Sequence, residues 1–135
     1  MEKRQLGTSG LQVSILGLGC NNFGGRLDEA QSIAVIEKAL DLGITLIDTA
    51  DAYPITTTGT SEEIIGKALG SNRPDVVLAT KFGWAMDDSG RNGGSRRYIM
   101  TAVEDSLRRL QTDWIDLYQF HKPDPKTPIE ETLRA

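Results

Sequence analysis

The sequence predicts an α/β fold of the (β/α) barrel type, in which strands and helices alternate along the chain. Short apolar runs recur about every 30 to 40 residues, as parallel strands joined by crossover helices do; they start near Ile15, Ile44, Val76 and Ile115. Each of the last three runs ends directly before a residue type that can do chemistry. Because the βα loops of a barrel open on one face, functional residues at strand ends favour this architecture.

The predicted helices have readable ends. Asp28 has the side chain of an N-cap, and Gly43 stands where a helix ending at Leu42 would need a left-handed residue. Thr60 and Thr127 each precede a glutamate by three positions, a spacing typical of a capping box. In the fourth helix, which starts at this second box, proline is predicted in the first helical position. A third helix is predicted from apolar residues at helical spacing, namely Ile99, Val103, Leu107 and Leu110.

A β-hairpin is predicted ahead of the strand-helix units. Leu11, Val13 and Ile15 alternate after the turn sequence at 7–10, as in a strand with one buried face. No linker or low-complexity segment follows, so residues 1–135 are predicted to be one portion of a single domain. Four βα units make half of an eight-stranded barrel, which needs about 250 residues. The expected architecture is therefore the N-terminal half of a (β/α)8, or TIM, barrel, without a second domain.

Composition excludes several classes of function. Apolar residues make up 39% and charged residues 25% of the chain, as in ordinary globular domains. The net charge of −4 argues against a nucleic-acid surface. No apolar run approaches the roughly 20 residues needed to cross a bilayer, and no signal peptide is evident, so no membrane partner is expected. The single cysteine, Cys20, excludes an internal disulfide and favours a cytoplasmic location. No Cys/His cluster predicts a metal site.

Four residues at strand ends are the candidate catalytic group: Asp48, Tyr53, Lys81 and His121. A phenol is a reluctant proton donor at neutral pH, and a neighbouring ammonium eases the loss of its proton. A carboxylate can hold the ammonium in place, and an imidazole can orient a carbonyl oxygen. No nucleophile is paired with a base, which disfavours acyl-transfer hydrolysis. The residue types therefore favour proton delivery to a carbonyl group.

Each of these residues also has a structural interpretation. Tyr53 precedes a proline and can pack in its loop, and Lys81 can be solvated at a strand end. Asp48 can cap its loop through an Asx turn, and His121 can be a hydrogen-bonded loop histidine. Their joint placement at successive strand ends favours the catalytic interpretation, because packing alone does not require it.

Other prominent side chains receive structural interpretations. Arg108 and Arg109 are predicted to be solvated surface charges, and Trp114 is predicted to pack in the core. The thiol of Cys20 is expected to be a partly buried filler without a redox role. The glycine pair at 24–25 is too isolated to be a dinucleotide-binding loop.

Several motifs in order along the chain resemble those of the aldo/keto reductase superfamily. They are LGTSGLQVS at 6–14, LGLG at 16–19, DTADAY at 48–53, SEEIIGKAL at 61–69, TKFG at 80–83 and DLYQFH at 116–121. The resemblance covers essentially all of the chain. It implies a (β/α)8 barrel that uses NADP(H), less often NAD(H), to reduce aldehydes and ketones to alcohols or to run the reverse oxidation. Hydride passes directly to the carbonyl carbon, so no metal is implied.

The resemblance also implies residue roles. Tyr53 matches the general acid of the family's catalytic tetrad, Lys81 and Asp48 match its tuning pair, and His121 matches the orienting group. The implied cofactor contacts within this half are Gly19, Cys20, Asn21 and Asp48. The implied substrate contacts are Phe23, Trp84 and His121, although Trp84 can equally be an anchor of the loop at 82–94. Proline follows the tyrosine where the family usually has glycine, so the resemblance does not predict the shape of the substrate pocket.

Alternatives to a complete reductase remain open. The family's remaining cofactor contacts lie in the second half of the barrel, so the chain is expected to be a fragment of a longer reductase. If it were complete, it would be a catalytically incomplete half-barrel, closed by a second copy in a homo-oligomer or by a second polypeptide. The same barrel also serves as a non-enzymatic, redox-sensing regulatory subunit of a membrane channel.

Overall fold

The fold is known from a computed structural model that describes residues 1–86 and 91–135. A two-stranded antiparallel hairpin precedes a parallel sheet of four strands in the order β3-β4-β5-β6. The predicted α/β class and half-barrel order are confirmed. The elements are β1 (Lys3–Gln5), β2 (Gln12–Ser14), β3 (Gly17–Gly19), α1 (Glu29–Asp41), β4 (Leu46–Asp48), α2 (Thr60–Leu69), a 3-10 helix (Gly70–Asp75), β5 (Val77–Phe82), α3 (Arg96–Leu110), β6 (Leu117–Phe120) and α4 (Ile129–Arg134).

Strand register brings the carboxyl ends of the strands to one edge. Asp48, the last residue of β4, pairs with Gly19 of β3 on one side and with Ala79 of β5 on the other. Farther along β5, Lys81 pairs with Gln119 of β6. Alternate residues of a strand share a face, so Asp48, Ala79 and Lys81 face one side of the sheet. The other side carries the helices.

The first predicted helix is confirmed at both ends. The Asp28 carboxylate accepts from the Gln31 amide at 2.8 Å, and the Gln31 side chain accepts from the Asp28 amide at 3.1 Å. These reciprocal bonds form a capping box. At the other end, Gly43 has φ of 79°, the left-handed conformation expected after a helix.

The predicted capping boxes of the second and fourth helices are wrong. Gly59, with φ of 87°, is the N-cap of α2, and the Thr60 hydroxyl instead donates to the Thr57 carbonyl at 2.8 Å. At α4 the N-cap is Pro128 rather than Thr127, so proline does not occupy the first helical position. The Thr127 hydroxyl donates to the Asp124 carboxylate at 2.7 Å. Neither helix has a side-chain hydrogen bond at its N-cap.

The core lies between the sheet and the first three helices. Its fully buried side chains include Ile36 of α1, Ile47 of β4, Ile65 of α2, Leu78 of β5 and Leu110 of α3. A second apolar cluster forms where Phe82, Ile99 and Ala102 meet the rings of Tyr118 and Phe120.

Trp114 does not join this core, contrary to the sequence prediction. Its side chain is 42% exposed, and its ring lies 4.2 Å from the guanidinium carbon of Arg73. Arg73 in turn donates to the Trp114 carbonyl and pairs with Asp116 at 2.9 Å. The indole therefore covers a buried arginine instead of packing between helix and sheet.

Close contact between α2 and α3 depends on one glycine. A Cβ placed on the buried Gly66 would lie 2.6 Å from the Arg109 carbonyl oxygen and 2.7 Å from the Leu110 carbonyl carbon. Both atoms belong to the backbone of α3, which cannot move aside as a flexible side chain would. The absence of a side chain at this position therefore sets the separation of the two helices.

Gly66→Ala is expected to lower the free energy of unfolding by about 1 to 3 kcal/mol, because the added methyl overpacks this contact. An alanine in a helix interior would otherwise add up to about 1 kcal/mol of stability. Urea unfolding of the variant measures the change. Gly10→Ala is the control, since its Cβ would meet no atom within 4 Å. A Gly66→Ala variant more stable than the parent would contradict the close-contact interpretation.

Candidate active site

An ion pair between neighbouring strands forms the base of the candidate site. The Lys81 ammonium donates to Oδ2 of Asp48 at 2.6 Å and to the Thr49 carbonyl at 2.7 Å. The Lys81 side chain is 15% exposed, whereas that of Asp48 is 39% exposed. Two acceptors thus fix the ammonium at the strand edge, while the carboxylate keeps contact with the open side of the sheet.

Gln119 completes the binding of this carboxylate. Its side-chain amide donates to Oδ1 of Asp48 at 3.0 Å, so each carboxylate oxygen has its own donor. Sequence reasoning assigned no role to this residue. The signal was present in the alternation along β6, because Gln119 and His121 are two positions apart and share a face.

Tyr53 and His121 lie above the ion pair. The Tyr53 hydroxyl is 3.5 Å from Nε2 of His121, at the long limit of a hydrogen bond, and the two rings meet edge to face at 5.5 Å. The Lys81 ammonium lies 5.2 Å from the centre of the Tyr53 ring. The structure therefore brings together all four of the strand-end residues that the sequence indicated. Contacts of this kind often tighten only when a substrate is bound.

Buried hydroxyl groups anchor the loop that carries Tyr53. The Thr49 and Ser61 hydroxyls are 2.9 Å apart, and the Ser61 hydroxyl donates to the Cys20 carbonyl at 2.9 Å. The Ser61 amide donates to the Tyr53 carbonyl at 3.1 Å. Residues directly after β3 and β4 and at the start of α2 thus share one buried network, which holds the Tyr53 loop against the sheet.

His121 is placed where the neutral imidazole is favoured. Partial burial lowers the pKa of the ring below its usual 6.5, and the positive charge of Lys81 lowers it further, while Asp48 acts in the opposite direction. Its Nδ1 is buried and has no hydrogen-bond partner among the described residues. At neutral pH the ring is therefore uncharged and Nε2 faces the Tyr53 hydroxyl.

The predicted cofactor positions lie at the end of β3, beside Asp48. A Cβ on Gly19 would meet no atom within 4 Å, so the backbone is open to a flat ring there. Asn21 is exposed at the same edge. The side chain of Cys20 is fully buried, with its sulfur 3.5 Å from the Leu18 carbonyl, and burial raises the pKa of the thiol far above its ordinary value. Only its backbone is near the site.

The predicted substrate contacts divide into two groups. Trp84 is 38% exposed, and its ring centre lies 5.4 Å from that of His121, so the indole forms a wall beside the imidazole. Phe23, by contrast, is 2% exposed and packs in the main core, away from the surface of the site. The loop at 82–94, which carries Trp84, includes residues 87–90, and these lie outside the described residues.

Two clefts flank the Tyr53 and His121 pair. A cleft of about 370 Å³ lies between the β3–α1 and β4–α2 loops and includes Asn21, Arg26, Tyr53, Pro54 and Ile55. Another of about 250 Å³ lies beside Trp84 and Lys122. A larger groove of about 920 Å³ near Arg73 and Trp114 lies at the opposite, amino-terminal edge of the sheet, away from these groups.

Within residues 1–86 and 91–135, no group of three or more His, Cys, Asp or Glu side chains is arranged to hold a metal ion. In the same ranges, no helix has the length and apolar character needed to span a bilayer.

Comparison with known proteins identifies the family. A model of the aldo/keto reductase family matches residues 15–135. The chain belongs to the aldo/keto reductase family. The resemblance inferred from the sequence motifs is thus confirmed. The solved structure of an aldo-keto reductase from Bacillus halodurans, in its holo form, matches 99% of this chain with a TM-score of 0.88 and 47% identity.

Relatives of this aldo/keto reductase chain are about twice its length. The aldo-keto reductase YhdN of Bacillus subtilis is 49% identical over 143 residues, and the uncharacterized oxidoreductase YqkF of the same species is 45% identical over 138 residues. A probable voltage-gated potassium channel subunit beta of Oryza sativa is 40% identical over 139 residues. All of this chain is covered in each case, but only 42 to 44% of the relative. The chain spans less than half the length of these curated relatives.

Lys81→Met is expected to raise the pKa of His121, because it removes a positive charge and leaves Asp48 uncompensated beside the ring. An NMR titration of the ring signals measures this shift, and His121 is the only histidine in the sequence. In the parent the midpoint should lie below 6.5. Lys122→Met removes an equal charge that lies against Trp84 instead, and it should leave the midpoint close to that of the parent. Equal midpoints in parent and Lys81→Met would contradict the assigned cause.

Proposed function

We propose that this chain supplies the catalytic tetrad of an NADP(H)-dependent oxidoreductase that reduces aldehydes or ketones to alcohols, or runs the reverse oxidation. The observation that carries this proposal is the arrangement of Tyr53. Its hydroxyl faces a neutral imidazole at 3.5 Å, and its ring lies 5.2 Å from an ammonium that Asp48 holds. Membership of the aldo/keto reductase family supports the same activity.

Tyr53 is proposed to be the general acid. In the reductive direction its hydroxyl donates a proton to the carbonyl oxygen of the substrate while negative charge develops there. The Lys81 ammonium stabilises the phenolate that remains, and Asp48 keeps the ammonium in place through the 2.6 Å contact. Neutral His121 donates from Nε2 to the same oxygen, so the carbonyl is oriented by two groups. In the oxidative direction the phenolate accepts the proton back.

The residues present fit a nicotinamide dinucleotide in part. The open backbone at Gly19 and the exposed Asn21 lie beside the Asp48 carboxylate at the end of β3 and β4. Gly19, Asn21 and Asp48 would hold the nicotinamide end, with the backbone but not the thiol of Cys20 beside them. When bound, the dinucleotide supplies the hydride for the carbonyl carbon. NADP(H) is proposed ahead of NAD(H) on family resemblance alone.

We further propose that the working unit is a closed barrel. Within the described residues, β3 and β6 each pair on one side only, and the barrel that the relatives represent needs about eight strands. Residues 1–135 would then be the N-terminal portion of one barrel domain, working in the cytoplasm on a small carbonyl compound. A second candidate function, a regulatory subunit of a membrane channel, is favoured by the plant potassium-channel beta subunits among the relatives. Stable co-purification with a channel protein would support that alternative.

Tyr53→Phe is expected to lower turnover by at least about 100-fold while nucleotide affinity is retained, because the substitution removes only the proton donor. The activity is measured in a closed barrel made by joining this chain to the part of Bacillus subtilis YhdN that lies beyond the match. Nucleotide affinity is measured on the same protein by calorimetry.

Tyr118→Phe is the matched control, because this tyrosine lies one position away from Gln119 on β6 and faces the helix side of the sheet. It should retain the turnover of the parent. A Tyr53→Phe variant with full turnover would refute the assignment of the general acid. Loss of nucleotide affinity together with turnover would instead assign Tyr53 to binding.

A further inference from the structure

A buried cluster of charges lies beneath the tetrad, on the helix side of the sheet. Asp51 is 1% exposed and Glu62 is fully buried. Glu62 is well satisfied, since it accepts from Nε of Arg109 at 2.7 Å and from the Thr80 hydroxyl at 2.6 Å. The guanidinium also donates to the Ser106 hydroxyl at 3.3 Å. Sequence reasoning had predicted Arg109 to be a solvated charge, and this prediction is wrong.

The Asp51 carboxyl has no such partner. Among the described residues, neither of its oxygens has a hydrogen-bond partner, and neither does the buried Tyr118 hydroxyl close by. A cavity of about 170 Å³, lined by the side chains of Arg109 and Tyr98 among others, adjoins the carboxyl. One guanidinium thus lies near two buried carboxyl groups, and Glu62 takes its hydrogen bond.

An ionised carboxylate in this position would be unfavourable. Burial disfavours the charged form most, and the charge of Glu62 disfavours it again. Arg109 and the adjacent Ala52 amide act in the opposite direction but with less effect, so the pKa of Asp51 is raised from 3.8 to about 7. Within the described part of the chain, the other titratable or charged groups around the carboxyl are Tyr118 on β6, Tyr98 and Asp105 on α3, and Arg91.

Asp51 is also connected to the candidate site through its backbone. It lies in the loop between Asp48 and Tyr53, and its amide donates to the Lys81 carbonyl at 3.1 Å. The Tyr53 amide donates to the Ala50 carbonyl at 3.1 Å, so Asp51 and Tyr53 belong to the same hydrogen-bonded turn. A change at the Asp51 side chain therefore acts on the loop that carries one tetrad residue and on the strand that carries another.

We propose that Asp51 keeps its proton in the folded protein up to neutral pH and that the neutral acid is a positioning residue, seating the Tyr53 loop against β5. Loss of the proton places a second negative charge beside Glu62 and loosens the loop. The catalytic meaning of this switch depends on the function proposed above, whereas the protonation itself does not.

The sign of the pH effect on stability follows from the direction of the pKa shift. The folded protein binds this proton more tightly than the unfolded chain, because the folded pKa is raised from 3.8 to about 7. The contribution of Asp51 to stability is therefore fully present below pH 3.8 and is lost as the pH rises to about 7. Over this window Asp51 raises the unfolding equilibrium constant by up to about tenfold per pH unit.

Three measurements on the 135-residue chain test the proposal, namely carbon-13 NMR of aspartate, the ring signals of His121 and urea unfolding. In the unsubstituted protein, carbon-13 NMR of labelled aspartate should show one carboxyl that titrates near pH 7. The chemical shifts of the His121 ring, the single histidine, should show two inflections when they are followed against pH. The first reflects titration of the ring itself, and the second, near pH 7, reflects titration of Asp51. Asp51→Asn, a neutral isostere of the protonated acid, should abolish that second inflection and the matching pH dependence of urea unfolding.

Asp105→Asn is the control, because Asp105 lines the same cavity but pairs with Arg108 at 2.8 Å. It should retain the second inflection. The proposal is overturned if every aspartate carboxyl titrates below about pH 5, or if Asp51→Asn keeps the inflection. If the variant fails to fold, the carboxyl titration of the unsubstituted protein still decides. Because no measurement uses turnover, a negative result here leaves the reductase function standing, and loss of that function would leave the titration unchanged.

Discussion

The ion pair between Lys81 and Asp48 is the interaction on which the candidate site depends. It joins two neighbouring strands at their carboxyl ends. The ammonium also donates to the Thr49 carbonyl, which connects it to the start of the loop that carries Tyr53. A mostly buried ammonium is unfavourable without such partners. Because Gln119 occupies the second carboxylate oxygen, the pair has little freedom to rearrange. The position of the phenol is then set relative to a fixed positive charge.

The two faces of the sheet have different roles at the carboxyl ends of β4 and β5. Asp48 and Lys81 face the open side, where chemistry is proposed, while Thr80 and Asp51 face the helices. The short segment from β4 to α2 connects them. Its backbone bonds to β5, its Thr49 hydroxyl bonds to that of Ser61 in α2, and its Asp51 carboxyl adjoins the charges of α2 and α3. The packing of the helices is thus coupled to the tetrad through one loop.

Local signals in the sequence predicted much of this arrangement. Asp28 and Gly43 marked the ends of α1 because their bonds form within a few residues. The capping boxes predicted at Thr60 and Thr127 are wrong because each threonine lies one position away from the N-cap, which is Gly59 in α2 and Pro128 in α4. The residue at which a helix begins depends on the path of the preceding loop, which residue spacing does not encode.

The sequence by itself determined the strand-helix order and the edge at which Asp48, Lys81 and His121 meet, because in parallel strands side-chain alternation and strand direction are local properties. The tertiary structure decided what those residues touch. Only folding showed that Gln119 binds the carboxylate and that Arg109 is drawn inward to Glu62. Arg109 and Glu62 lie 47 positions apart, and their pairing arises because Gly66 lets α2 approach α3 closely enough to bury both charges.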